Sequence, residues 1–170
     1  MKSTYPIVRI LLVLACLLLV VAPRSPAAAT RQGLATAEAA NEALVLRFLY
    51  EGVDQRHFAV LNDVLAPTFV SHSPFGTVTG IPAYTQVLGA LVTAFPDIQL
   101  HLVEVAVTGD TVVVRDFTTA THKGAFLGIP ATGKKVGWTE LQLYHLSQGK
   151  VIEQWVSFDA LGILHQIKGS

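Results

Sequence analysis

The periodicity of this chain changes at Asp97, and that change restricts its possible folds more than any other feature. Before it, Glu38 to Tyr50 carries Ala39, Ala43, Leu46 and Tyr50 at helical spacing beside Leu49, which predicts a first helix. Asp54-Gln55-Arg56-His57 leads into a short second helix over Phe58–Leu65, closed by Pro67. Gly80 and Pro82 open a third helix that runs to about Thr93. Phe69 to Pro74 reads as a short extended piece followed by a loop. After Asp97, the runs Ile98–Val107, Thr111–Thr121, Gly137–Leu146 and Val151–Ser157 are rich in β-branched and aromatic residues. Gly109-Asp110 and Gln148-Gly149 separate neighbouring runs as hairpin turns. Helices first and a meander second make an α+β chain. A curved, mostly antiparallel sheet around the early helices would enclose an apolar pocket with a few polar groups inside.

Residues 1–29 read as a secretory signal peptide. Lys2 and Arg9 flank the apolar run Ile10 to Ala22, and Ala27 and Ala29 fit small-x-small cleavage after Ala29. That run is shorter than the roughly 20 residues that span a bilayer, so no stable membrane span is expected after cleavage. An uncleaved anchor and lipidation at Cys16 are the competing readings. Residues 30–37 are small and polar and read as a flexible tether; residues 38–170 read as one domain with one core. Cys16 is the sole cysteine, so the mature chain has no thiol for a disulfide, a nucleophile or a metal. Twelve basic residues balance twelve acidic ones, which leaves no electrostatic footprint for nucleic acid or an anionic membrane. The expected partner is a small, largely apolar molecule or a second copy of the chain, and the expected location is secreted or periplasmic.

Ionisable groups within apolar strands need a partner or a purpose, which singles out Arg115, His122 and Asp159. If the last strand is regular, alternation puts Val151, Glu153, Trp155, Ser157 and Asp159 on one face, so Trp155 and Asp159 share a pocket wall. Desolvation there would lift Asp159 toward the range of a general base. The alternative is that Asp159 caps a helix beginning at Ala160. His122 either relays a proton and polarises a carbonyl, or ties a strand end to a loop. Arg115 lies seven positions before His122, hence on the opposite face of an unbroken strand. It reaches the same pocket only across a bulge, and otherwise pairs with Glu104 or Glu140. His72 sits where the extended piece turns. Tyr144, Trp138 and Phe126 either line the cavity or fill the core. No histidine pair has zinc-protease spacing, no serine has a nucleophile elbow, and Gly124 to Lys134 lacks the P-loop order. No metal dependence is expected.

The ordered series Phe69-Val70-Ser71-His72, Phe95-Pro96-Asp97, Gly109 to Arg115, Thr121-His122-Lys123-Gly124, Gly128 to Lys134, Gly149 to Glu153, Trp155 and Asp159 resembles the SnoaL-like polyketide cyclases, or ester cyclases. These belong to the nuclear-transport-factor-2-like (NTF2-like) superfamily, whose members include binders as well as enzymes. The resemblance implies an α+β cone, often a homodimer, with an internal pocket, no cofactor and His72 near the mouth. It implies intramolecular aldol closure of a polyketide ester, with Asp159 as acid/base; the leading expectation for this chain adds His122 as the polar partner of Asp159 and a small carbonyl compound or ester as the ligand. His72, Arg115, Trp155, Tyr144, Trp138 and Phe126 are the substrate-binding set. Gln154 replaces a common His and Ala131 a usual Pro. A non-catalytic, secreted binding module for apolar ligands is the alternative.

Overall fold

The protein is described by a computed structural model covering residues 25–169; of the segment 1–29 read as a signal peptide, residues 1–24 lie outside the described residues. Four α-helices, α1 (Pro26–Arg47), α2 (Leu61–Val64), α3 (Ile81–Ala94) and α4 (Ala160–Lys168), accompany six strands among the described residues. The strands are β1 (Leu65–Ser73), β2 (Gly76–Thr79), β3 (Gln99–Thr108), β4 (Thr111–Thr121), β5 (Lys135–Ser147) and β6 (Lys150–Phe158). They form one sheet in the order β2-β1-β6-β5-β4-β3. Every pairing is antiparallel except β1 with β6. The α+β plan, with a curved and unclosed sheet, is the one the periodicity predicts.

Three local differences have physical reasons. Helix α1 starts at Pro26, where the Ser25 hydroxyl accepts from the Ala28 N–H at 3.2 Å. Residues 30–37 are therefore helical rather than a tether, in keeping with the helix propensity of their alanines. The second helix stops at Val64, because Leu65 already starts β1. Pro67 lies inside that strand, where the register with β6 shifts between Leu65 and Val70; a residue without an N–H is tolerated at such an irregularity. Ser73 turns through Pro74-Phe75 into the four-residue β2, which pairs with β1 where a loop was expected.

Alternation on β4 buries Val112, Val114, Asp116, Thr118 and Ala120 and exposes Arg115 and Phe117. On β5 it buries Val136, Trp138, Gln142, Tyr144 and Leu146. Strand β6 breaks the rule. Leu146 pairs with Val151 but His145 with Glu153, so Ile152 is an inserted residue. Val151 faces inward before the bulge, and Gln154, Val156 and Phe158 do so after it. Everything beyond Ile152 is turned to the face opposite the one regular alternation assigns.

The core has two parts. One gathers Phe48, Leu61, Phe69, Tyr84 and Tyr144 between the early helices and the sheet. The other gathers Phe95, Ile98, Trp138, Ile163 and Ile167 beneath α4. Among the described residues no helix is long and apolar enough to cross a membrane.

Candidate active site

Between the two core halves lies a cavity of about 360 Å³, within the range of small-molecule sites. A π-helical turn after α1, Phe48–Asp54, supplies Phe48, Leu49 and Val53 to its wall. Helix α3 supplies Tyr84, Leu88 and Leu91, and the loop after β4 supplies Ala125, Phe126 and Leu127. Besides Ser73, whose hydroxyl donates to the Gly76 carbonyl of its own turn, the wall is apolar except where the inward faces of the sheet place Ser71, Thr118, Glu140, Gln142 and Gln154, with the Tyr84 hydroxyl opposite.

These polar groups form one directed network. Ser71 and Tyr84 donate their hydroxyls to Gln154 Oε1 at 3.0 and 3.1 Å. Gln154 Nε2 donates to Gln142 Oε1 at 2.8 Å, and the Tyr144 hydroxyl donates to the same oxygen at 2.5 Å. Gln142 Nε2 then donates to Glu140 Oε2 at 3.0 Å and Asp116 Oδ1 at 3.1 Å. Trp138 Nε1 donates to Glu140 Oε1 at 2.6 Å, and Thr118 Oγ1 to Asp116 Oδ2 at 3.3 Å. Each amide thus points its N–H end toward the carboxylates. Burial, and then the neighbouring Asp116 charge, push the Glu140 carboxyl up to about 7 against the Trp138 bond. Burial raises Asp116 as well, opposed by its bonds from Gln142 and Thr118. Tyr84 and Tyr144 are raised by burial, which keeps both hydroxyls protonated as donors.

Two of the eight residues singled out from the sequence, Trp138 and Phe126, line this cavity. Tyr144 is buried beside it and contributes through Gln142. Asp159 does not line it: the side chain is exposed and accepts the Gly162 N–H at 2.8 Å as the N-cap of α4. The Ile152 bulge is the reason, because it turns Trp155 and Asp159 outward. Trp155 is 51% exposed. It stacks on His72 at 3.9 Å, and His72 in turn meets Glu153 at 3.0 Å and Thr77 at 3.1 Å. That cluster decorates the outer face, not the pocket mouth. Arg115 also faces outward and pairs with Glu104 at 3.3 Å, as strand parity requires in the absence of a bulge. His122 is fully buried, its Nδ1 3.0 Å from the Thr132 hydroxyl, and its backbone bonds Gly133 and Lys134. It fastens the loop and is not in the cavity wall. Asp159→Ala is accordingly expected to cost about 1 kcal/mol in thermal or urea unfolding through the lost cap, with turnover unchanged in any assay of the cavity.

Glu140, Gln142 and Asp116 were not singled out as site residues from the sequence, although the signal was there. Trp138, Glu140, Gln142 and Tyr144 follow one another between the apolar Val136 and Leu146 on one face of β5, and polar groups on an apolar face mark a site. Among the described residues no group of three or more His, Cys, Asp or Glu side chains is arranged to hold a metal ion.

A curved sheet around helices, with an internal cavity whose polar groups come from the sheet, defines an NTF2-like domain. The SnoaL-like polyketide cyclase profile matches residues 43–167, and the chain belongs to that family. Among solved structures it is similar to a SnoaL-like protein from Jannaschia sp. CCS1, at 29% identity and a TM-score of 0.74, over 86% of this chain and 97% of that one. It is similar to AclR from Streptomyces galilaeus, which carries a hydroxylase assignment, at 26% identity and a TM-score of 0.70, over 78% and 98%. It is also similar to IdmH from Streptomyces antibioticus, which carries a polyketide-cyclase assignment, at 26% identity and a TM-score of 0.67, over 75% and 98%. No curated protein matches the chain.

Proposed function

We propose that this chain is an exported, cofactor-free enzyme of cyclase type in which Glu140, rather than Asp159, is the general base. The observation that carries this reading is that Glu140 is the one carboxylate lining the cavity among the described residues, and that burial holds it near neutral. A carboxylate so placed takes a proton from carbon without being lost to water. The substrate is a small ketone or ester, largely apolar to match the wall. A cavity of about 360 Å³ holds on the order of 12 to 18 non-hydrogen atoms at roughly 20–30 Å³ each.

In this scheme Glu140 removes a proton from the carbon beside a carbonyl, and the electron pair moves onto that carbonyl oxygen. The Tyr84 and Ser71 hydroxyls, released from Gln154, donate to the oxygen as its charge grows. The enolate carbon then attacks a second carbonyl of the same molecule, closing a ring, and the new alkoxide recovers the proton from Glu140. Gln154, standing where a His is common in the family resemblance, leaves Glu140 without a titratable imidazole as rival.

Export through residues 1–29 belongs to the same reading, supported by the basic start, the apolar run and the Ala27-x-Ala29 motif. So does a homodimer, supported by Phe117, Leu141 and Trp155 exposed on the outer sheet face. The test is turnover of a panel of small dicarbonyl esters, followed by mass spectrometry and NMR. Glu140→Gln is expected to lose turnover by about 10²–10⁴-fold, and Asp159→Asn to retain it. A carrier of the same ligands predicts binding without turnover in the unaltered protein, and that result would displace the enzymatic reading.

A further inference from the structure

Asp116 is a buried acid that the proposed chemistry leaves unused. It lies on β4 directly opposite Glu140 on β5, and both face inward. A single nitrogen, Gln142 Nε2, donates to Asp116 Oδ1 at 3.1 Å and to Glu140 Oε2 at 3.0 Å. The two carboxylates thus meet across one amide group. Their other donors, the Thr118 hydroxyl and the Trp138 indole, are uncharged.

Among the described residues no cation offsets the pair. The ion pairs among the described residues all lie elsewhere, and Arg115, next in sequence to Asp116, faces outward to Glu104. The elements packed around the pair present only neutral groups. Tyr84 comes from α3 and Tyr144 from β5, both kept protonated by burial. Gln154 and Ser71 come from β6 and β1, and Tyr50 borders the shallow cleft beside Asp116. Two largely buried acids in one network, with no counter-charge among the described residues, cannot lose both protons independently.

We infer that Asp116 and Glu140 titrate as one coupled pair, and that Asp116 is the positioning residue whose charge shifts upward the pH at which Glu140 works as a base. The inference deepens the reading of Glu140 as the cavity base and rests on it for its functional meaning. The first proton leaves the pair at acid pH, and the charge then left, fixed by Gln142, resists the second loss. Without Asp116, burial alone would still hold the Glu140 carboxyl above its ordinary value, but lower than with Asp116 present, and Glu140 would be a weaker base. With it, the basicity of Glu140 lies where a general base is most effective.

The test is a carbon-13 NMR titration of the whole protein, labelled at the side-chain carboxyls of Asp and Glu. In the unaltered protein the Glu140 resonance should show a midpoint near neutral. Asp116→Asn, confirmed folded by circular dichroism, should lower that midpoint by about 1–2 pH units. Reciprocity provides a second route if that variant fails to fold: Glu140→Gln should lower the Asp116 midpoint by a similar amount. An unchanged midpoint in the folded variant would overturn the inference. Because no substrate enters the measurement, coupled titration together with undiminished turnover in Glu140→Gln would leave the pair standing and remove the catalytic reading alone.

Discussion

Glu140→Gln is expected to make the protein more stable above neutral pH while abolishing its chemistry. The Glu140 carboxyl has an ordinary value of 4.5 and stands at about 7 in the fold. A raised carboxyl means that the folded state binds the proton more tightly than the unfolded chain does. Its effect on stability is therefore most favourable below about 4.5, declines as pH rises from there to about 7, and is flat above. The difference amounts to about 3 kcal/mol of destabilisation at pH 8. A glutamine removes that burden, but its amide cannot accept from both Trp138 and Gln142, so about 1 kcal/mol is lost again. The net expectation is a gain of about 1–2 kcal/mol at pH 8, or roughly 3–10 °C in Tm. At pH 4.5 the gain should vanish or reverse. Urea unfolding of both proteins across this range checks the sign. Parallel pH profiles would mean that Glu140 is not held as described.

Gly124→Ala is expected to be among the most damaging single-methyl additions. A Cβ at position 124 would stand 2.2 Å from the Thr93 carbonyl oxygen and 3.1 Å from Ala94 Cα. Both obstacles are backbone, at the end of α3, and cannot rotate aside. The approach is enforced by the N–H groups of Lys123 and Gly124, which both donate to the Ala94 carbonyl, at 2.9 and 3.0 Å. Relief requires loss of those bonds or a shift of the helix end, at a cost of about 3 kcal/mol or more. The loop that starts here carries Ala125, Phe126 and Leu127 into the cavity wall, so ligand affinity should fall together with Tm. A loss under about 1 kcal/mol would show that the loop is free of α3.

The strands were legible because half-buried strands write their alternation into the sequence, as Val112 to Ala120 on β4 do. The same parity correctly separated Arg115 from His122. It misled at β6, where one inserted residue, Ile152, reverses the face of everything after it; a bulge of this kind has no local sequence signature in Val151-Ile152-Glu153. Asp159 was for that reason assigned to the pocket, while Gln154, noticed as a departure from the family pattern, is the residue that enters it. Glu140 was legible in principle, since it shares a face with Trp138, but an acid on β5 was read as an ion-pair partner for Arg115. Strand β2 was not legible, because Gly76–Thr79 is too short for alternation to show and follows a proline turn. Pro67 was taken for a helix terminator because its tolerance within β1 depends on a register shift against β6, a contact more than eighty residues away in sequence.

The most direct measurement is deuterium exchange at the carbon beside the carbonyl of a small cyclic ketone, cyclohexanone, incubated with the protein in D2O and followed by NMR. Exchange above background that grows as pH rises through about 7 and disappears in Glu140→Gln is the expected result. Exchange that persists undiminished in Glu140→Gln, or none above background from the unaltered protein at any pH, would contradict the assignment of Glu140 as the base.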